Sequence, residues 1–313
     1  MSFVLTKSTA VNLKNFITVV LIAVAYLVTS YFLVGFKTDQ LVLIGIFFSL
    51  YFSTGTTRKF VLGFSIFIVY WIVFDYMKAF PNYEYNEVHI SSLYNLEKHY
   101  FGIHEAGGRL LTPNEYWRLH NLTFLDVLTG LFYLCWIPVP LAFAAYLFFT
   151  RKREFLHFSL TFVLVNLLGF VVYYTYPAAP PWYIQYHGFQ FVRATPGNTA
   201  GLARFDAHFH INLFKSIYAK GSNVFAAMPS LHSSYPLIVV YYGLKNRLGW
   251  PNLFFITVSV GIWFSAVYTS HHYVLDVIAG IATATLGIIL FNYLATHSKN
   301  IQRWLTVYEG IIQ

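Results

Sequence analysis

Two stretches of this chain place a histidine beside groups that could make it reactive. The first is Ala227-Met-Pro-Ser-Leu-His-Ser-Ser234. Pro229 and Ser230 are helix-starting residues. A helix start offers unpaired N–H groups and a positive dipole end, which suit a phosphate oxyanion. His232 would stand in that first turn, aimed at the same place. The second stretch is Tyr268-Thr-Ser-His-His-Tyr-Val-Leu-Asp276. His272 and Asp276 are spaced i, i+4, which predicts one shared helix face. The carboxylate would hold one ring N–H, leave the other nitrogen free as a nucleophile and stabilise the imidazole once it is positive. Taken singly, His232 also fits an interfacial histidine, and His272 with Asp276 a structural polar pair. Together they fit phosphoryl transfer.

The elements that must position these residues are membrane helices. The chain has 313 residues, 57% hydrophobic, 20% aromatic and 10% charged, with a mean hydropathy of +0.56. Soluble domains carry about 25% charged residues, so an ordinary soluble fold is excluded. The net charge of +8 sits mostly in short clusters between apolar runs. There it orients a membrane protein, and no nucleic-acid partner is expected. The single cysteine, Cys135, lies in an apolar run and excludes an intrachain disulfide or a cysteine zinc site. The run after Lys14 is too long for a cleavable signal and reads as a first membrane helix.

Eight apolar runs are candidates to cross the bilayer: 15–36, 41–54, 60–80, 122–150, 155–176, 231–247, 251–270 and 272–295. Each is judged against the roughly 20 residues a crossing needs. The fold class expected is all-α, a multi-pass transmembrane bundle of about eight helices. The second run is short, and Pro138 with Pro140 should kink the fourth. Two polar segments, 81–121 and 177–230, interrupt the pattern. In the first, Thr112-Pro113 can open a short helix. Asn121-Leu-Thr123 spells a glycosylation sequon but abuts a helix, and is read as chance. The chain divides on this reading into 1–121, with the first helices and first outer loop, 122–296, the helical core, and 297–313, a cytoplasmic tail.

Charge asymmetry orients the chain. With both termini cytoplasmic, Lys7, Lys14, Arg58-Lys59, Arg151-Lys152-Arg153, Lys245, Arg247, Lys299 and Arg303 fall inside, against Lys37 in the short outer turns. Both long polar segments, both histidine stretches and most of the 12 histidines then fall on the non-cytoplasmic side. Asp75, near the outer end of the third run with Lys78 three residues on, and Asp126, at the outer start of the fourth, lie at the same depth. A sugar or polyol headgroup would need such acceptors; glue between helices is the plainer reading.

Pro229-Ser230-Leu231-His232 followed by His272-x-x-x-Asp276 resembles the second and third motifs of the type 2 phosphatidic acid phosphatase superfamily. A closer resemblance is to inositol phosphorylceramide synthases and their bacterial relatives. It rests on Tyr176-Pro-Ala-Ala-Pro-Pro-Trp-Tyr183, Pro196-Gly-Asn-Thr-Ala-Gly-Leu-Ala-Arg-Phe-Asp206 and His271-His-Tyr-Val-Leu-Asp276, within about residues 120–295. The resemblance implies a phosphatidic acid phosphatase-like core in which His272 attacks phosphorus, Asp276 orients it, and His232 protonates the leaving alcohol and then deprotonates the acceptor. It implies a lipid phosphotransferase that moves inositol phosphate from phosphatidylinositol onto a ceramide-like hydroxyl. A phosphatase using water and a non-enzymatic transporter or scaffold are the alternatives. Membrane lipids are the expected partners, with neither cofactor nor metal. The arginine that phosphatases carry six residues before the nucleophile is Ala266 here, and residues 173–183 hold no Lys or Arg. The transferred phosphoryl group still needs a cation. Arg204 is the first candidate, Lys220 and Arg193 weaker ones, with Ser230 at the phosphate-binding helix start. His271 is left without a role.

Overall fold

The computed structural model describes residues 12–105, 107–219, 221 and 223–313. In chain order the helices are α1 (Leu13–Val34), α2 (Thr38–Ser53), α3 (Gly55–Tyr76), α4 (Ser91–Phe101), α5 (Pro113–Leu119), α6 (Thr123–Leu134), α7 (Pro138–Thr150) and α8 (Lys152–Thr175). They continue with α9 (Pro181–His187), α10 (Ala203–Phe209), α11 (Leu213–Ala219), α12 (Leu231–Lys245), α13 (Pro251–Tyr268), α14 (Val274–His297) and α15 (Lys299–Ile312). A two-strand hairpin, Ile103–His104 against Leu110–Leu111, joins α4 to α5. Among the described residues six spans are long and apolar enough to cross a membrane: Leu13–Val34, Gly55–Ala79, Thr123–Thr150, Lys152–Thr175, Pro251–Tyr268 and Val274–His297. Large apolar side chains face outward from them, such as Leu21, Phe32, Phe254 and Val260. Apolar surface on that scale belongs in lipid, and the chain is an integral membrane protein.

All eight apolar runs are helical. The two that fall short of the six are α2 and α12, of 16 and 15 residues. At 1.5 Å per residue α12 is about 22 Å long. Its start is fixed by Ser230, whose hydroxyl accepts the Ser233 N–H at 3.3 Å, and Asn246 caps its end. The expected kink in the fourth run is a break: α6 stops at Leu134 and α7 restarts at Pro138, because proline suits the first position of a helix and disrupts the interior of one.

The described residues form two compact units, one running up to Phe80 and taking in 302–313, the other spanning 81–301. In the first, α1, α2 and α3 pack together, and Asp75 takes Lys78 at 2.6 Å and Lys37 at 3.9 Å. The last helix docks there: the Tyr308 hydroxyl donates to the Leu62 carbonyl at 2.6 Å and lies 3.0 Å from the Ser65 hydroxyl. In the second unit α12 is central, packed against α8, α13 and α14. It is buried along Leu231, Ser233, Ser234, Tyr235, Ile238, Val239 and Tyr242.

Gly280 lets α14 close on the start of α12. A Cβ there would sit 2.2 Å from the Ser230 carbonyl oxygen. The contact is sealed by Ser234, whose hydroxyl donates to the Gly280 carbonyl at 2.7 Å, and by the Ser230 N–H, which donates to the Asp276 carbonyl at 2.9 Å. The helices that carry the two histidine stretches are thus bolted at their first turns.

Three loop segments are laced together above them. His89 N–H donates to Pro177 O at 2.7 Å, Ala179 N–H to His89 O at 3.1 Å, Ala178 N–H to Phe225 O at 2.9 Å and Ala227 N–H to Ala178 O at 3.3 Å. Ala178 and Ala179 are fully buried, so the lacing needs small side chains at that point. Trp182 N–H then donates to the Ser270 carbonyl at 3.0 Å, tying the Ala-Pro-Pro-Trp-Tyr stretch to the loop that holds His272.

Candidate active site

His232 is the second residue of α12, and its Nδ1 lies 3.0 Å from His272 Nε2 and 3.1 Å from the Tyr133 hydroxyl. The Trp136 ring meets it edge to face at 4.3 Å between centroids. Tyr133 lies in the last turn of α6 and Trp136 in the break before α7, so that break also sets one wall of the site.

His272 does not sit on the α14 helix face that its spacing to Asp276 predicted. The helix begins at Val274 and its cap is Tyr273. The reason is local: Asp276 Oδ2 accepts the Tyr273 N–H at 2.8 Å, which ends the helix in front of His272. Both His271 and His272 donate their N–H to the Ala266 carbonyl at 3.0 Å, closing the end of α13. Asn114 of α5, buried, donates from Nδ2 to the carbonyls of Val267 at 2.8 Å and His272 at 2.9 Å. The backbone of His272 is therefore held at both its N–H and its C=O.

The His272 ring is fixed by a main-chain carbonyl. Nδ1 lies 2.9 Å from Ala227 O and 3.6 Å from Asp276 Oδ2. A carbonyl can only accept, so Nδ1 carries the proton and Nε2 presents its lone pair to His232. Asp276, wholly buried, supplies negative charge on the far side of the ring. This is a ring with its tautomer set and a free nitrogen that could serve as a nucleophile, facing a second histidine across one hydrogen-bond length.

His271, the adjacent residue, is turned away. Its Nε2 lies 3.0 Å from Thr199 O, and it stacks on Tyr218 at 4.5 Å and Tyr133 at 5.4 Å. Burial first, and then the charge of His272, pushes its pKa down to about 3, so it stays neutral and packs like an aromatic.

Arg204 of α10 donates from Nε to Asp126 Oδ1 at 2.6 Å, and the Tyr268 hydroxyl donates to the same oxygen at 2.8 Å. The guanidinium also rides over the Tyr268 ring at 5.3 Å. One of its terminal nitrogens, Nη2, is buried and without a hydrogen-bond partner among the described residues. Asp126 thus grips the arginine. Asp206 of the same stretch accepts the N–H groups of Phe214 at 3.1 Å and Lys215 at 3.0 Å and caps α11.

The other candidates are scattered. The Ser230 hydroxyl is buried as a helix cap, with Ser233 Oγ donating to it at 3.0 Å. Arg193 is taken by Glu84 at 2.7 Å. Asp75 belongs to the other unit and is paired with Lys78 there. Lys220 lies outside the described residues. Among the described residues no three His, Cys, Asp or Glu side chains gather to hold a metal ion. Motif reading missed Tyr133 and Asn114. A polar residue in a predicted apolar run was the one available signal for the first, and the Thr112-Pro113 helix start for the second.

The PAP2 superfamily model matches residues 113–290. The chain is 41% identical over 282 residues to the phosphoinositol dihydroceramide synthase of Bacteroides thetaiotaomicron, covering 90% of this chain and 92% of that one. It is 32% identical over 173 residues to the inositol phosphorylceramide synthase of Candida albicans, covering 51% of this chain and 35% of that one. The Saccharomyces cerevisiae inositol phosphorylceramide synthase catalytic subunit is 32% identical over 176 residues, with 55% and 42% covered. No solved structure matches. Both histidine stretches fall inside the matched segment, which is more than half of the sequence, and the chain belongs to the PAP2 superfamily.

Proposed function

We propose that this protein is a lipid phosphotransferase that moves inositol phosphate from phosphatidylinositol onto the hydroxyl of a ceramide-like lipid and releases diacylglycerol. The observation that carries the reading is the meeting of His272 Nε2 and His232 Nδ1 at 3.0 Å. The transferred group and the acceptor come from the names of the relatives, above all the bacterial phosphoinositol dihydroceramide synthase matched over 90% of this chain, and phosphatidylinositol is the donor that the resemblance implies.

In the first half-reaction His272 Nε2 attacks phosphorus. The bond from phosphorus to the diacylglycerol oxygen breaks, and protonated His232 gives that oxygen its proton. The phosphohistidine carries inositol phosphate, its positive ring faced by Asp276. In the second half-reaction the ceramide hydroxyl oxygen attacks phosphorus, the P–N bond breaks, and His232 takes the hydroxyl proton. The cycle returns both histidines to their starting state. Acid–base assistance of this kind is worth about 10²–10⁴ in rate. Arg204, with its unpaired Nη2, is the cation for the phosphoryl oxygens.

The positive residues of the short loops favour a site on the non-cytoplasmic face with both termini cytoplasmic. The joined starts of α12 and α14 and the end of α8 are consistent with one common face for the site.

The test is an assay in detergent micelles with labelled phosphatidylinositol, with and without ceramide, comparing wild type and His272→Ala. A ceramide-dependent inositol phosphorylceramide, absent from the variant, is expected. Water-derived products formed regardless of ceramide would assign a phosphatase instead. A fully active His272→Ala would remove the nucleophile and the reading with it.

A further inference from the structure

One buried acid near the site has no part in the scheme above. Glu97 lies on α4, in the first polar segment, with no exposed surface. Its Oε1 accepts the Val274 N–H at 2.9 Å and its Oε2 the Leu275 N–H at 3.1 Å. These are the first two amides of α14, immediately after His272 and Tyr273. Helix starts leave such amides without partners, and a serine or asparagine in the adjoining loop would serve. Here the acceptor is a full carboxylate from 177 residues away, and burying it is costly.

The expense falls on a particular four residues. His272 N–H is held by Ala266, its C=O by Asn114, Tyr273 N–H by Asp276, and the Val274 and Leu275 N–H groups by Glu97. Every one of those main-chain contacts bears on where the His272 ring stands. We infer that Glu97 is a positioning residue for the reaction: its carboxylate, gripping both amides, sets the backbone that aims His272 Nε2. The inference rests on the phosphohistidine reading given above.

The charged form is the better clamp, since both its oxygens accept and neither must donate. Burial, opposed by the two amides and supported by the like charge of Asp276, raises the Glu97 pKa from 4.5 to about 7. The groups that act on it are Asp276 and Tyr273 at the start of α14; Tyr94 of its own helix, which donates to Glu115 of α5 and accepts from Lys98, acts on Tyr273 in turn. The sign for activity follows. Below pH 7 the acid is neutral and the clamp weaker; the rate rises as pH rises through about 7. The sign for stability is opposite. A folded pKa above the unfolded one contributes stability that is full below 4.5 and lost as pH rises through about 7.

Purified full-length wild type, Glu97→Gln, Glu97→Asp and His272→Ala are compared in micelles for kcat, KM for phosphatidylinositol, thermal stability and pH–rate profile. Glu97→Gln is a neutral isostere. It is expected to lower kcat by about 10²-fold, the cost of a small misplacement, with KM unchanged, thermal stability at pH 8 not reduced, and the rise near neutral pH missing. Glu97→Asp keeps the charge and is expected to keep that rise at a lower kcat. A Glu97→Gln variant with wild-type kcat and the same profile overturns the inference. So does one whose activity falls only in step with lost folding, with Glu97→Asp showing no rise. An active His272→Ala would strike the nucleophile reading instead, whatever Glu97 does.

Discussion

At the scale of single residues, the site depends on which atom holds each ring. The proton on His272 is placed by Ala227 O at 2.9 Å, nearer than Asp276 at 3.6 Å. Asp276→Asn should therefore keep the tautomer and lose the charge that faces the phosphorylated ring. Its kcat is expected to fall by about 10²–10⁴-fold, between wild type and the inactive His272→Ala, as rates of product formation will show. Asp126→Asn leaves Arg204 half-buried without its counter-charge, and with the arginine partly in contact with solvent the loss falls below the roughly 3–5 kcal/mol of a fully buried pair. Its thermal transition should fall, and KM for the phosphate donor should rise as the arginine drifts. The histidines, Asp276 and Arg204 were legible in the sequence because ionisable residues stand out against an apolar background. Asn114, Glu97 and the carbonyl of Ala227 were not. Two of these act on the main chain across more than 150 residues, and the third is a main-chain atom with no spelling at all.

At the scale of elements, helix positions were readable, and so were the starts of α5 at Thr112-Pro113 and of α12 at Ser230, but the start of α14 was not. Apolar runs place α1, α3, α8, α13 and α14 because lipid demands them. That α14 begins after His272 rather than at it follows from Asp276 folding back onto Tyr273, a choice between two capping geometries that spacing alone leaves open. Gly280 was equally silent, since a glycine in a membrane helix is common. Its replacement is a sharp test of how α12 and α14 meet. Gly280→Val puts side-chain atoms against the Ser230 carbonyl. Overpacking of that kind costs about 1–3 kcal/mol, and because it wedges apart the two first turns, activity should fall further than the loss of thermal stability accounts for.

At the scale of the whole molecule, charge bias gives an orientation that labelling can check. In a Cys135→Ala background, His187→Cys and Lys299→Cys place single thiols at exposed positions. With membrane-impermeant maleimide on sealed vesicles of one orientation, the two should label from opposite sides. Labelling from the same side would overturn the proposed topology. The comparison with the bacterial synthase extends over 90% of the chain, so the similarity reaches beyond the PAP2 segment at 113–290.

The lacing of His89, Ala178 and Ala226 has a temporal meaning. The carbonyl of Ala227 that sets the His272 proton is held by a strip of backbone whose parts emerge from the ribosome in the order 89, 178 and 227, with His272 last. A chain interrupted anywhere before His272 owns neither that ring nor the amides that Glu97 grips. Synthesis thus completes the candidate site only once residues 272–276 have been made, and a copy that stops short of them lacks it.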